Sequence, residues 1–229
     1  VRYLGEGRRG EVDGVLYAGS LDEAAEATAR RVGAGPPPRV DAPPEVSRTF
    51  SLGRKTQSRL VGLFGGGSLA SEARCVLEAR GVAVRVPAET LSADGPLPAG
   101  NLVVDTGDDA YTVGRPHPMV DQAVRCGLIR AAGSDPSVGI LLLDLVLGDG
   151  AHPDPAPEIA EAVAAARAGR GGLPLSVVAS VCGTRRDPQG TARQEEALHR
   201  AGIKVEPSAA LAAAEAADLV LFSRPEVER

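Results

Sequence analysis

The sequence predicts an α/β fold, a flavodoxin-like doubly wound parallel sheet, and three observations carry that expectation. From Leu60 onward, short apolar runs of the kind that form buried strands recur along the chain. Helical stretches of about ten residues separate most of them, long enough for the crossovers that parallel strands need. The chain, with 229 residues of which 43% are hydrophobic, can bury one sizeable core. Strands alternating with helices imply βαβ units, and right-handed crossovers then cover both faces of one sheet.

The elements follow in order. Residues 1–35 hold strand candidates at 1–4 and 14–18, then a helix, LDEAAEATARRV, whose N-cap is Ser20 and whose capping box is completed by Glu23. Gly5, Gly7 and Gly10 spell GxGxxG after the first strand. A dinucleotide site needs a helix to begin inside such glycines, so that its N-terminus meets the pyrophosphate. Here EVDGVLYAG follows and reads as a second strand, so the glycines read as a hairpin turn. Residues 36–57, with five prolines, read as a linker or an arm lying on a partner, and Arg54 and Lys55 fall near its end. The chain opens on Val already in a strand-like run, which suggests a fragment or natural half of something longer.

Residues 58–223 form the main domain. Its strand candidates are 60–64, 83–86, 102–105, 139–144, 175–181, 203–205 and 219–222; its helices are 68–79, 119–132, 157–168, 191–201 and 208–216. In such a sheet every strand-to-helix loop emerges at one edge, where ligands bind. Four of these loops carry unusual chemistry. After the first strand, Gly65, Gly66, Gly67 and Ser68 allow close backbone approach, with Ser68 as a helix cap whose free N–H groups face an anion. The same glycines also suit a plain tight turn.

The loop TGDDAYTVGRPHPMVD, 106–121, is the densest. Asp105, Asp108 and Asp109 could position an amine or bind a metal through oxygen, or simply cap loop N–H groups. Arg115 suits bidentate capture of a carboxylate or phosphate, and Pro116 and Pro118 stiffen the backbone around His117. The third loop, DLVLGDGAHPDP, places Asp144 at the end of a central strand and presents Asp149, His152 and Asp154. The fourth, SVCGTRRDPQ, sets Arg185 and Arg186 beside Cys182, which reads either as a thiol activated by the arginines or as a small buried packing residue. Cys75 and Cys126 read as helix packing, and His199 as complementing a helix dipole.

Composition excludes several classes. A net charge of −5 without a basic stripe argues against nucleic acid. The longest apolar run is too short for a membrane. The odd, widely spaced cysteines fit reduced thiols in a cytoplasmic protein, and no CxxC pattern or ligand spacing specifies a metal.

Three segments, DTGDDAYTVGRPHPMVD, LLLDLVLGDGAHPDPA and SVVASVCGTRRDPQG, resemble in order and spacing the FdrA family, acyl-CoA synthetase-like relatives of the succinyl-CoA synthetase α subunit. The resemblance covers most of 58–218 and implies a ligase-type domain there, with residues 1–35 similar to the end of the CoA-binding-type domain that precedes it in longer members. It departs at GTRRDPQGTARQ, which has no histidine where succinyl-CoA synthetase carries its phosphorylated one. The resemblance implies a subunit of an oxamate carbamoyltransferase in purine-nitrogen (allantoin) catabolism, handling carbamoyl phosphate and oxamate in a hetero-oligomer with other subunits. The residues expected to act are His117, His152 and Arg115 in catalysis, with Gly66, Gly67, Ser68, Asp108, Asp109, Arg185 and Arg186 holding anions. The alternative is a non-catalytic assembly subunit that binds CoA or an anion, CoA being the one cofactor the resemblance suggests.

Overall fold

The computed structural model describes residues 2–3, 10–35 and 58–223. Gly5, Gly7, the linker 36–57 and its Arg54 and Lys55 lie outside the described residues. Near the N-terminus, β1 (Arg2–Tyr3), β2 (Gly10–Val12) and β3 (Val15–Ala18) form a three-stranded sheet in the order β1-β3-β2. The hairpin joins β2 to β3 through Asp13 and Gly14, with φ of 51° and 75°, the two positive angles a type I′ turn requires. It therefore turns at an Asp-Gly pair; of the three glycines expected to turn, Gly10 lies in β2 and Gly5 and Gly7 fall outside the described residues, and β1 pairs parallel to β3.

Helix α1 (Leu21–Arg31) begins at Ser20, whose Oγ accepts the Glu23 N–H at 3.1 Å. The returning contact goes one residue further than a standard box, with Gly19 N–H donating to Glu23 Oε2 at 2.6 Å.

The second sheet has five parallel strands: β4 (Arg59–Phe64), β5 (Leu102–Asp105), β6 (Val138–Val146), β7 (Ser176–Cys182) and β8 (Lys204–Glu206). Their spatial order is β5-β4-β6-β7-β8, which counted from β4 is the flavodoxin-like order 2-1-3-4-5. Both faces are apolar because both are covered. Leu60, Phe64, Ile140, Leu142 and Val178 pack against α2 (Gly67–Ala79) and α7 (Ala209–Ser223). Their chain neighbours Val61, Leu63, Leu141, Leu143 and Val177 point the other way. There they meet α4 (Ala123–Ser134), α5 (Pro155–Ala168) and α6 (Thr191–Arg200), while the single turn α3 (Asp109–Thr112) lies in the loop after β5.

Two expected strands are absent from the described sheet. Residues 83–86 touch β5 through one bridge, Arg85 to Leu102, and Pro87 then ends any ladder by removing the next donor. Residues 219–222 continue α7, because Leu219 and Val220 extend the buried stripe of Ala209, Ala212, Ala213, Ala216 and Ala217 with no breaker between. The helix expected from Met119 begins at Ala123, since His117 to Asp121 form turns of their own.

Arginines stitch the amino-terminal edge of this sheet. Arg170, 5% exposed, donates to the carbonyls of Leu173, Gly133, Asp135, Val138 and Pro174, tying the end of α4 to the starts of β6 and β7. Arg59 reaches Gly100 and Pro98 carbonyls and pairs with Asp135 at 3.3 Å. Arg170→Ala strands several buried carbonyls and should lower unfolding free energy by about 3 kcal/mol, measured by urea denaturation.

The N-terminal part docks through a buried carboxyl. Leu21 N–H donates to Glu72 Oε1 at 2.6 Å, and Ser208 Oγ donates to Asp22 Oδ2 at 3.2 Å. Burial raises the Glu72 carboxyl above its ordinary 4.5, against the lowering effect of the Leu21 hydrogen bond and with a further rise from Asp22. A carboxyl raised in the folded state gives stability that is complete below its unfolded value and lost as pH climbs through the folded one. Glu72→Gln keeps the acceptor without the charge. It should raise Tm at about pH 8, with the gain closing as the pH approaches the unfolded carboxyl value, followed by calorimetry.

Candidate functional site

The strand order reverses between β4 and β6, so the helix after β4 leaves to one face and the helix after β6 to the other. A crevice opens at the carboxyl ends of strands where the connections diverge in this way. At this reversal lies a buried ion pair: Asp144, 0% exposed on β6, and Arg125, 1% exposed on α4, with Nη2 to Oδ1 at 2.7 Å. The Asp144 carboxylate also accepts the N–H groups of Gly65 at 2.8 Å and Gly66 at 3.0 Å. Arg125 donates from Nε and Nη2 to Leu63 O at 3.1 and 3.0 Å, to the Asp144 carbonyl, and from Nη1 to Gln122 at 3.4 Å. Each buried charge is thus both paired and hydrogen-bonded, the condition under which an ion pair survives away from water.

This pair was missed as a site feature by sequence reasoning, although signals for it exist. Arg125 falls in the helical stripe shared by Leu128, Ile129 and Ala132, and Asp144 interrupts the apolar run ILLLDLVL. A charge on a core stripe needs a partner, and the second charge in the core supplies it.

Helix α2 starts directly above. Its N-cap is Gly66 and its first residue Gly67, so Ser68 lies exposed within the first turn instead of capping the helix. Asp105 reaches the same helix end from β5, on the same sheet face as Asp144. Its Oδ1 accepts the Gly107 N–H at 2.8 Å, and a methyl group on Gly67 would lie 2.5 Å from its Oδ2, so only glycine admits this approach. Desolvation raises the Asp105 carboxyl; Asp108 and Asp144 add to the rise, while the Gly107 hydrogen bond and His117 oppose it.

His117 packs against the same loop. A methyl group on Gly107 would lie 2.5 Å from His117 Nε2 and 3.0 Å from Gly65 O. The ring is fixed because its Nδ1 accepts the Met119 N–H at 3.1 Å, which assigns the proton of the neutral ring to Nε2. His152 repeats the device: Nδ1 accepts the Asp154 N–H at 3.1 Å, and Nε2 faces Glu158 Oε1 at 3.1 Å. The two His-Pro loops touch, since His152 N–H donates to Met119 O at 2.6 Å.

The remaining expected residues are placed as follows. Asp108 caps α3, accepting the Ala110 N–H at 2.9 Å, and Asp109 is exposed in that turn. Arg115 is exposed and lines a groove of about 480 Å³ with Asp94, Tyr111 and Val113, between segment 90–94, α3 and α4. Arg185 and Arg186 are exposed on the loop after β7. That loop is tied to the His152 loop by Gln189, which donates to Gly148 O at 2.8 Å and His152 O at 3.2 Å. Cys182 is exposed, not the buried thiol of one reading. Desolvation and then Asp144, Asp187 and Glu72 push its thiol up, against activation by the arginines. Among the described residues no His, Cys, Asp and Glu cluster has the makings of a metal centre, and no helix is long and apolar enough to cross a membrane.

A parallel sheet of this order, covered by helices on both faces, is a doubly wound α/β domain, and its sequence defines the class further. Residues 63–219 match the family described as CoA-ligase, and the chain belongs to that family. It is 33% identical over 153 residues to the uncharacterized protein YahF of Escherichia coli (strain K12), covering 64% of this chain and 30% of that protein. The structure of PH0766 from Pyrococcus horikoshii OT3 is similar with a TM-score of 0.51 at 17% identity, over 90% of this chain and 40% of that one. A dinucleotide-forming acetyl-coenzyme A synthetase 1 of Ca. Korarchaeum cryptofilum, in its apo form, gives 0.47 at 18%, over 91% and 41%. The chain thus spans less than half the length of each.

Asp144→Asn leaves the buried Arg125 charge without its partner and should cost about 3 to 5 kcal/mol. The pair Arg125→Met with Asp144→Leu should cost clearly less than the two single changes summed, read from a double-mutant cycle in urea.

Proposed function

We propose that this chain is the ligase-type portion of an FdrA-like carbamoyltransferase subunit, which binds carbamoyl phosphate and a small carboxylate such as oxamate at the rim above β4 and β6. The observation that carries the reading is the set of donors gathered there. The first turn of α2 points its N–H groups at the rim, and the His117 Nε2–H stands beside it over Gly107. Asp144 would repel an anion, but Arg125 neutralises it from below.

Carbamoyl transfer asks mainly for positioning and for stabilisation of oxygen charge, which fixed donors supply. In this reading Gly67 and Ser68 hold phosphate oxygens, and the His117 Nε2–H bonds the oxygen on which charge develops. Arg115, Arg185 and Arg186 draw anions in from the surrounding loops. His152, held against Glu158, orients the neighbouring loop through its bond to Met119.

The assay is phosphate release from carbamoyl phosphate and oxamate by the native assembly. His117→Gln should lower kcat about 100-fold. Arg115→Ala, which removes a steering charge beside the rim, should raise KM for oxamate about threefold at low ionic strength and less at high salt. Full activity in both variants, or no release by the wild type, would overturn the proposal.

Membership of the CoA-ligase family favours one second reading, a non-catalytic subunit that binds CoA, with the exposed Arg185 and Arg186 meeting its phosphates. Calorimetric titration with CoA and with carbamoyl phosphate distinguishes the two, since this reading requires CoA binding without turnover.

A further inference from the structure

We propose that Asp105 is the proton carrier of this site, taking the proton that the acceptor nitrogen sheds and delivering it to the departing phosphate oxygen. The inference rests on the carbamoyltransferase reading above and deepens it, since that reaction must move one proton and the described rim offers few groups able to do so.

Both histidines are unsuited. Each ring accepts a backbone N–H at Nδ1, from Met119 or from Asp154, so neither has a lone pair open to a substrate proton while those bonds hold. His152 Nε2 is in addition turned to Glu158. The Cys182 thiol, pushed up by desolvation and then by its carboxylate neighbours, is a poor shuttle as well. Asp144 is sealed under the loop and fully engaged by Arg125, Gly65 and Gly66.

Asp105 differs on each point. One oxygen is anchored by the Gly107 N–H, which fixes the carboxyl plane, and the other lies against the first residue of α2, where the proposed phosphate would sit. The groups that face it are Asp108 from its own loop, Asp144 from β6 with Arg125 behind it, and His117. Burial and the two carboxylates raise its affinity for a proton, so it is a stronger base than an open aspartate and releases that proton readily to a more basic oxygen.

The step balances. The oxamate nitrogen attacks the carbamoyl carbon, forming the C–N bond, and the C–O bond to phosphate breaks with its electron pair on oxygen. The proton leaving nitrogen goes to Asp105 and from there to that oxygen, so the enzyme ends as it began. The His117 Nε2–H stabilises the same oxygen by hydrogen bonding without giving up its proton.

The experiment is a pH–rate profile of phosphate release by the native assembly, wild type against Asp105→Asn, with folding checked by thermal melting. Asn keeps the acceptor for Gly107 N–H but cannot carry a proton. The expected result is a fall in kcat of about 100-fold or more with KM for both substrates changed less than about threefold, and loss of the acid limb seen in the wild type. Gly67→Ala, which pushes a methyl group onto Oδ2, should reproduce the fall in kcat with the carboxyl still present, and it serves if the Asn variant fails to fold. An active wild type whose acid limb persists in Asp105→Asn, or whose Gly67→Ala variant turns over normally, overturns the role of Asp105 alone. An inactive wild type overturns the carbamoyltransferase reading and this inference with it.

Discussion

The buried pair of Arg125 and Asp144 is the constraint on which the carboxyl edge of the sheet depends. Two charges placed in a core at about 1% exposure or less must be satisfied by what surrounds them. They are satisfied by the Leu63 carbonyl at the end of β4, the Gly65 and Gly66 amides, and the Gln122 side chain. Those partners belong to the end of β4, the β4–α2 connection and the connection entering α4. One electrostatic requirement therefore fixes where β4 ends, how α2 starts and how α4 leans on the sheet.

The two edges of the sheet use arginine for different ends. At the amino-terminal edge, Arg170 and Arg59 bond mainly to carbonyls that the strand and helix ends leave open. These contacts hold the scaffold together and leave little exposed chemistry. At the opposite edge, Arg125 meets a carboxylate and in doing so frees α2 to begin over a neutralised base. An anion approaching the helix N-terminus there meets Asp144 already neutralised and, beside it, the Asp105 carboxyl, whose proton affinity is raised by desolvation.

Around that helix end the side chains are held against backbone. Asp105 lies on Gly67 and His117 on Gly107, approaches that any larger residue would block. The imidazoles are oriented by main-chain N–H groups of their own Pro-flanked loops, and the loops are joined to each other through His152 and Met119. Gln189 then links this assembly to the loop that carries Arg185 and Arg186. Such preorganisation suits a reaction that gains from fixed donors more than from a covalent nucleophile.

The amino-acid sequence by itself determined the fold class, the strands β4 to β8 and most helices between them, because apolar runs and helical periodicity report burial directly. It also marked the loops at the carboxyl edge, since histidines between prolines and clustered aspartates are written locally. It did not single out the Asp13-Gly14 turn, and it read α7's end as a strand because a short apolar run looks alike in either state until its neighbours are known. What only the tertiary structure decided is which of those loop residues share a surface. Arg115 lines the groove by α3, while Asp105 lies against Gly67 and His117 against Gly107, and Arg125 enters the core to hold Asp144. The physical reason is that burial of a charge and the facing of a side chain depend on strand order and crossover hand, which bring together residues that no local pattern connects.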